Sequence, residues 1–411
     1  MHGSRFLLPG ILGWSVGCAA PGPSAAPAES GTVRPGIEVL LGDSAHLVRD
    51  RRVGLVTNQS GVDASGVSDV VRLRAAGVHL VALFSPEHGF RGAADPGAAV
   101  ASSVDSATGL PIYSLYGATS APSDGMLAGI EVLLVDLQDA GARYYTYITT
   151  TVDVMQAAGR KGIPVVVLDR PNPIGGVVQG NVLEQAHITP VGRLTVPMRH
   201  GLTLGEQARL ARADLAIPGD LVVVPAAGWR RDVTFDRTGL PFIPPSPNLR
   251  TLESLFHYPG TCLFEGTNLS VGRGSEAPFE QIGAPWLDTA AVLGTFRQAG
   301  LPGVRATGVA FTPRRPGDGK YADTLLAGIR LEVTDRTSYD PPATAVHLLA
   351  AVRRRHPAEF AWIPKHFDRL AGTTALRTAI ESGTDPRAIV AGWEPARRAW
   401  LERRKGVLIY R

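Results

Sequence analysis

Five short apolar runs set the terms on which this chain can fold. Residues 52–57, 78–84, 130–135, 163–168 and 221–224 are rich in Val, Leu and Ile, and each is too short for a core helix. Such runs suit strands buried on both faces of a parallel sheet, where no polar face is needed. Segments with helical spacing lie between them: 68–76, closed by Gly77; 148–161, with Val152, Met155 and Ala158 on one side; and 203–213. A short helix is also expected at 126–128. This alternation predicts an α/β fold, a Rossmann-like doubly wound parallel sheet with right-handed crossovers.

After about residue 240 the pattern changes. Residues 241–248 are Pro-rich, and Gly-, Asn- and Ser-rich stretches run on to Trp286. An irregular region of that length inside a compact domain is usually functional or disordered. Beyond it, 304–311 and 329–333 read as strands, 343–355, 373–381 and 386–405 as helices, and 407–410 as a last strand. The expected organisation is a Rossmann-like domain over 36–240 and a smaller α+β domain over 241–411 that completes a cleft.

The N-terminus has the order of an export signal: Arg5, an apolar stretch over 6–16 too short to span a bilayer, then Gly17 and Cys18. Cys18 stands where a lipoprotein is acylated, although Ser15 occupies a position where Leu is usual. Ordinary cleavage near Ala19 and Ala20 is the alternative reading. Residues 1–18 are therefore expected to be a signal peptide and 19–35, rich in Pro and Ala, a linker. The mature protein is expected to be exported, either periplasmic or held to the membrane by a lipid on Cys18.

Four predicted strands end in polar clusters: Asn58 and Gln59; Glu87 and His88, bracketed by Pro86 and Gly89; Asp136 and Asp139; Asp169, Arg170 and Asn172. Parallel strands share a direction, so these clusters should share one edge, and ligands bind beyond the carboxyl ends of such strands. One cluster alone would read as a solvated turn; four converging ones point to a cleft. Residues 136–147 add Arg143, whose planar fork suits a carboxylate. They also add Tyr144, Tyr145 and Tyr147, whose rings and hydroxyls suit sugars; taken singly, each tyrosine also reads as core.

Several chemistries lack their residues. No Gly-x-Gly-x-x-Gly follows the first strand and no phosphate-binding Gly-x-x-x-x-Gly-Lys-Ser/Thr occurs. A net charge of +4 without a basic run gives no nucleic-acid footprint. His88, His200 and His257 are isolated, so no metal or other cofactor is indicated. The sole Gly-x-Ser-x-Gly, residues 13–17, falls in the export signal. With two cysteines, Cys18 and Cys262, there is no disulfide framework and no case for a thiolate nucleophile. Carboxylates, amides and aromatic rings remain, which are the tools of glycoside hydrolysis.

The motifs closely resemble the NamZ-type exo-β-N-acetylmuramidase family. They stand here as Gly54-Leu-Val-Thr-Asn-Gln-Ser-Gly61, Phe84-Ser-Pro-Glu-His-Gly-Phe-Arg-Gly92, the segment 136–147, Asp169-Arg-Pro-Asn-Pro-Ile-Gly-Gly176 and Pro245-Ser-Pro-Asn-Leu249. Tyr258-Pro-Gly-Thr-Cys-Leu-Phe-Glu-Gly-Thr-Asn-Leu-Ser-Val-Gly-Arg-Gly274, Pro278-Phe-Glu280 and Gly283-Ala-Pro-Trp286 complete the set. The resemblance covers about residues 36–411. It implies release of terminal N-acetylmuramic acid from the non-reducing end of peptidoglycan fragments, at a site between the two domains. It implies Glu87 as catalytic acid, with His88 beside it. Arg143 or Arg273 is then expected to hold the lactyl carboxylate, and Asn58, Asn248, Glu265 and Asn268 the hydroxyls and acetamido group. Gln59, Tyr144, Tyr147, Asn172 and Glu280 are further substrate-binding candidates; Glu265 and Glu280 read almost equally well as salt-bridged supports. If the 2-acetamido oxygen attacks the anomeric carbon, Asp136 or Asp139 orients the amide. The Ala/Ser-rich stretches 98–107 and 118–124 depart from the family pattern and are expected on the cleft rim. Two other readings compete: an exported cell-wall sugar-binding protein without catalysis, and a metal-dependent deacetylase or amidase.

Overall fold

The computed structural model describes residues 1–4 and 32–411. Residues 5–31, which hold most of the expected signal peptide, Cys18 and most of the expected linker, lie outside the described residues. The expected linker ends earlier than 35, because Val33 is buried against Ala226, Trp229, Val233 and Tyr410, and Arg34 pairs with Ala227.

The strands are β1 Arg52–Thr57, β2 His79–Ser85, β3 Ser103–Val104, β4 Pro111–Ser114, β5 Val132–Asp136, β6 Val165–Leu168, β7 Gln179–Val182, β8 Pro197–Arg199, β9 Leu221–Val224, β10 Gln281–Ala284, β11 Val304–Phe311 and β12 Leu326–Val333. The α-helices are α1 Gly36–Asp43, α2 Asp69–Ala75, α3 Tyr147–Arg160, α4 Leu204–Asp214, α5 Leu252–Thr261, α6 Thr289–Gln298, α7 Pro341–Arg355, α8 Pro364–Ala371, α9 Ala375–Glu381, α10 Pro386–Ala391 and α11 Glu394–Arg404.

Six parallel strands run in the order β4-β2-β1-β5-β6-β9, with β3 antiparallel at one edge. This is the doubly wound order, reversing between β1 and β5. Every residue of β5 and β6 is buried, which explains sequences that are apolar throughout except for Asp136 at the end of β5. β9 is the far edge and alternates between exposed and covered residues. Ser68 caps α2, and a reciprocal Thr203–Glu206 box opens α4.

The smaller domain is α+β. Its antiparallel sheet runs β10-β12-β11, with α5 and α6 packed on it and α7 packed on both of those helices. The region read as irregular contains α5, introduced by a Thr251–Ser254 capping box. The helix expected over 386–405 is two, α10 and α11, divided at Gly392 and Trp393. The expected strand at 407–410 has no strand partner among the described residues. It is tail that returns to the first domain, where the Tyr410 ring meets Trp229 edge-on at 4.8 Å. Residues 126–128 form a turn, not the expected helix.

Candidate active site

In this sheet order a ligand crevice belongs between the ends of β1 and β5. Here that position is filled. Asp136, at the end of β5, forms a buried ion pair with Arg170, which also donates to the Val62 carbonyl at 2.7 Å. Asp69 lies in the same cluster, and burial together with Asp136 pushes its carboxyl well above the ordinary range. Asn58 donates to the Tyr147 hydroxyl at 2.6 Å, and that hydroxyl donates to the Pro245 carbonyl at 2.8 Å. Gln59 donates to the Pro244 carbonyl at 2.9 Å. The segment leaving the first domain thus caps its own switch point.

The open cleft lies beside this plug, beyond the ends of β2 and β4 and beneath the smaller domain. Its volume is about 660 Å³. Glu87 follows β2 directly. Its Oε1 accepts from the Gly97 amide at 2.9 Å and its Oε2 from the Thr146 hydroxyl at 2.6 Å. The turn is set by two left-handed residues, His88 at φ 71° and Gly89 at φ 76°. His is among the few side-chain-bearing types that tolerate that region. His88 Nδ1 lies 2.9 Å from the Ala94 carbonyl, and burial lowers its pKa below the usual 6.5. Tyr116, at the end of β4, lines the same wall; burial and the nearby Glu87 carboxylate push its phenol up to about 12.

The facing wall comes from the smaller domain. Arg273 Nε and Nη2 both reach Glu265 Oε1 at 2.6 Å. Although burial opposes ionisation, Arg273 holds the Glu265 carboxyl below its ordinary range. The Arg273 guanidinium stacks over Phe279 at 4.9 Å. Tyr144, Tyr145, Tyr258, Lys320, His366 and Arg369 also line the cleft.

Of the residues expected to bear on substrate, Glu87, His88, Tyr144, Tyr145, Glu265 and Arg273 are brought together here. The others are not. Asp136, Asn58, Gln59 and Tyr147 belong to the plug. Asp139 accepts from the Gly141 amide at 2.8 Å and faces His200 at 3.5 Å. Arg143 is buried and donates to the carbonyls of Asn181, Leu370 and Ala371 at 2.7, 2.9 and 2.6 Å; it clamps α8 to the first domain. Asn172 donates to the Leu202 carbonyl at 2.8 Å and accepts from the Ile174 amide at 3.1 Å. Asn268 is held by the Glu359 carbonyl and the Ala361 amide. Glu280 accepts from Thr251 at 2.5 Å, and Asn248, buried, is not among the residues that line the cleft. Ser120 places the 118–124 stretch beside the opening, whereas no residue of 98–107 lines the cleft; Pro96 and Gly97, just before it, do. Sequence reasoning missed Tyr116, Thr146, Asp153, His366 and Arg369.

A doubly wound domain, a smaller α+β domain and a cleft that sets a carboxylic acid against cations and aromatic rings define a two-domain α/β protein with an enzyme-like pocket. The family model described as exo-β-N-acetylmuramidase NamZ, N-terminal, matches residues 53–253, and its C-terminal counterpart matches 256–410. The chain belongs to the NamZ exo-β-N-acetylmuramidase family. Peptidoglycan β-N-acetylmuramidase NamZ of Bacillus subtilis (strain 168) is 42% identical over 381 residues, covering 92% of this chain and 91% of that protein. Two crystal structures of DUF1343 family proteins from Bacteroides fragilis NCTC 9343 share the fold. One has a TM-score of 0.84 at 31% identity and covers 94% of this chain and 100% of its own. The second has a TM-score of 0.76 at 30% identity, covering 93% and 99%.

Proposed function

We propose that this chain is an exo-acting glycosidase that releases N-acetylmuramic acid from the non-reducing end of peptidoglycan fragments, with Glu87 as proton donor. The observation that carries the reading is how the Glu87 carboxylate is held in the cleft. The Gly97 amide can only donate, so Oε1 serves as an acceptor. The Thr146 hydroxyl can donate or accept, so Oε2 is held both with its proton and without it. Oε2 is therefore the oxygen that passes a proton to the departing glycosidic oxygen as the bond to the anomeric carbon breaks.

The developing oxocarbenium-like charge needs an anion or a nucleophile. Glu265, kept ionised by Arg273, supplies negative charge in the same cleft. In the substrate-assisted variant the 2-acetamido oxygen attacks the anomeric carbon, and water then opens the resulting ring. Asp136 and Asp139 take no part in this scheme, since both are engaged behind the plug. The activity described for the Bacillus subtilis relative, similar over nearly the whole chain, supports the reading.

Incubation with the disaccharide of N-acetylmuramic acid β-linked to N-acetylglucosamine tests it. Mass spectrometry should find both free sugars, and an oligosaccharide ending in N-acetylglucosamine should stay intact. Recovery of the untouched disaccharide, or internal cleavage, would overturn it. Peptidoglycan lies outside the cytoplasmic membrane, and the order Arg5, apolar 6–16, Cys18 supports export with a lipid on Cys18. Labelled palmitate incorporated by the wild type and not by Cys18→Ser is the expected result; equal labelling would exclude the anchor.

A further inference from the structure

Two guanidinium groups in the cleft are only half used. Arg273 is buried, and its Nε and Nη2 are spent on Glu265, while Nη1 is buried without a hydrogen-bond partner. Arg369, on α8, directs Nη2 to His366 Nδ1 at 2.6 Å and leaves Nε buried without a partner. A buried donor left unpaired is costly, and it is the donor a ligand can satisfy. Both side chains line the cleft that holds Glu87.

The local backbone holds Arg273 in place. Gly272 and Gly274 flank it at φ 77° and 75°, and Phe279, the ring beneath its guanidinium, sits at φ 65°. A bulky residue in the left-handed region is strained and persists only where its surroundings enforce it. Here the Phe279 amide donates to the Val271 carbonyl at 2.7 Å. The other cation of this wall is occupied: Lys320 Nζ serves the carbonyls of Glu265, Thr267 and Leu269 at 3.1, 2.6 and 3.0 Å. Arg143 also has a buried Nε without a hydrogen-bond partner, but it is not among the residues that line the cleft, and its Nη1 and Nη2 serve carbonyls behind it.

We propose that Arg273 and Arg369 form a carboxylate-binding subsite that takes the 3-O-lactyl group of the non-reducing sugar. The inference rests on the muramidase reading and names what selects its substrate. The lactyl carboxylate carries the only formal charge of N-acetylmuramic acid, and N-acetylglucosamine lacks it. Arginine forks match a carboxylate better than any other side chain.

The test compares the disaccharide bearing a free lactyl carboxylate with the same disaccharide carrying a lactyl methylamide. For the wild type, kcat/KM should favour the acid by about 10- to 100-fold, the range of one or two charge-assisted hydrogen bonds. Arg369→Gln should bring that ratio to within about threefold of one, mainly by raising KM for the acid. Arg273→Lys keeps a cation for Glu265 but loses the fork, and should lower the ratio while preserving the thermal midpoint. An unchanged ratio in both variants would overturn the subsite. If the wild type releases no sugar, the muramidase reading fails, and calorimetry with the free monosaccharides still decides the subsite. N-acetylmuramic acid should then bind about tenfold more tightly than N-acetylglucosamine to the wild type and no more tightly to Arg369→Gln; equal binding of the two sugars by the wild type would sink it.

Discussion

The Thr146 hydroxyl donates to the Glu87 carboxylate at 2.6 Å, joining the turn after β2 to the first residue before α3. Thr146 occupies the N-cap position of α3 yet makes no side-chain capping bond. Its hydroxyl is committed to the acid and not to the helix. Thr146→Val should therefore lower kcat by about 10- to 100-fold, the worth of one hydrogen bond to a charged group, with a smaller change in KM. Thr146→Ser keeps the hydroxyl and should recover most of the rate. Equal losses in the two variants would mean that the methyl group, not the hydrogen bond, matters.

Glu87→Gln preserves size and can still accept from the Gly97 amide, but it has no proton to give. Turnover of the unactivated disaccharide should fall by about 10²-fold or more, in line with general-acid contributions. A glycoside with a good leaving group needs less protonation, so a nitrophenyl substrate should lose much less. Similar losses on both substrates would remove Glu87 from the acid role.

Arg143 tests the boundary between support and chemistry. Its donors satisfy carbonyls on both domains, and burial lowers its pKa. Arg143→Met keeps the stem but strands those carbonyls, so urea unfolding should show a loss of about 3 kcal/mol. KM of the folded fraction should stay within about threefold of wild type, since less than one ordinary hydrogen bond to substrate is at stake. A large rise in KM at unchanged stability would return Arg143 to the substrate.

The sheet was legible because β5 and β6 are buried on both faces, so their sequence alone excludes other roles. The α5 helix was hidden by a Pro-rich approach and by Pro259 in its last turn. The apolar run at 407–410 carries strand-like residues but packs as tail, since its fate depends on Trp229 and Asp169 far away in the chain. The site divides the same way. A polar residue after a strand marks the carboxyl edge, but not whether its side chain meets solvent or a partner. Glu87 and Asp136 have the same local signature, yet Asp136 meets Arg170 and Glu87 meets an open cleft. Tyr116, Thr146 and Arg369 reach the cleft from three separate segments, and no local pattern announces them; His366 and Arg369, three apart on α8, were the one faint sign.

Asp169 predicts how the whole protein responds to pH. It follows β6, is fully buried, and accepts from the Thr203 hydroxyl at 2.6 Å, the Tyr410 hydroxyl at 2.7 Å and the Gly205 amide at 2.9 Å. Those bonds favour the charged form, but burial outweighs them and pushes the carboxyl up to about 7. The folded state therefore binds a proton that the unfolded chain, titrating near 3.8, has already released. The stability this group contributes is fully present below the unfolded value and is lost as pH rises through 7, by on the order of 4 kcal/mol. Asp169→Asn resembles the protonated acid: its carbonyl still accepts from Gly205, and the two hydroxyls can turn to accept from its amide. The unfolding free energy of the wild type, measured in urea against that of Asp169→Asn, should fall progressively behind between about pH 4 and pH 8. Parallel profiles for the two proteins would show that Asp169 is ionised throughout, and that the Tyr410 tail is docked on a carboxylate and not on an acid.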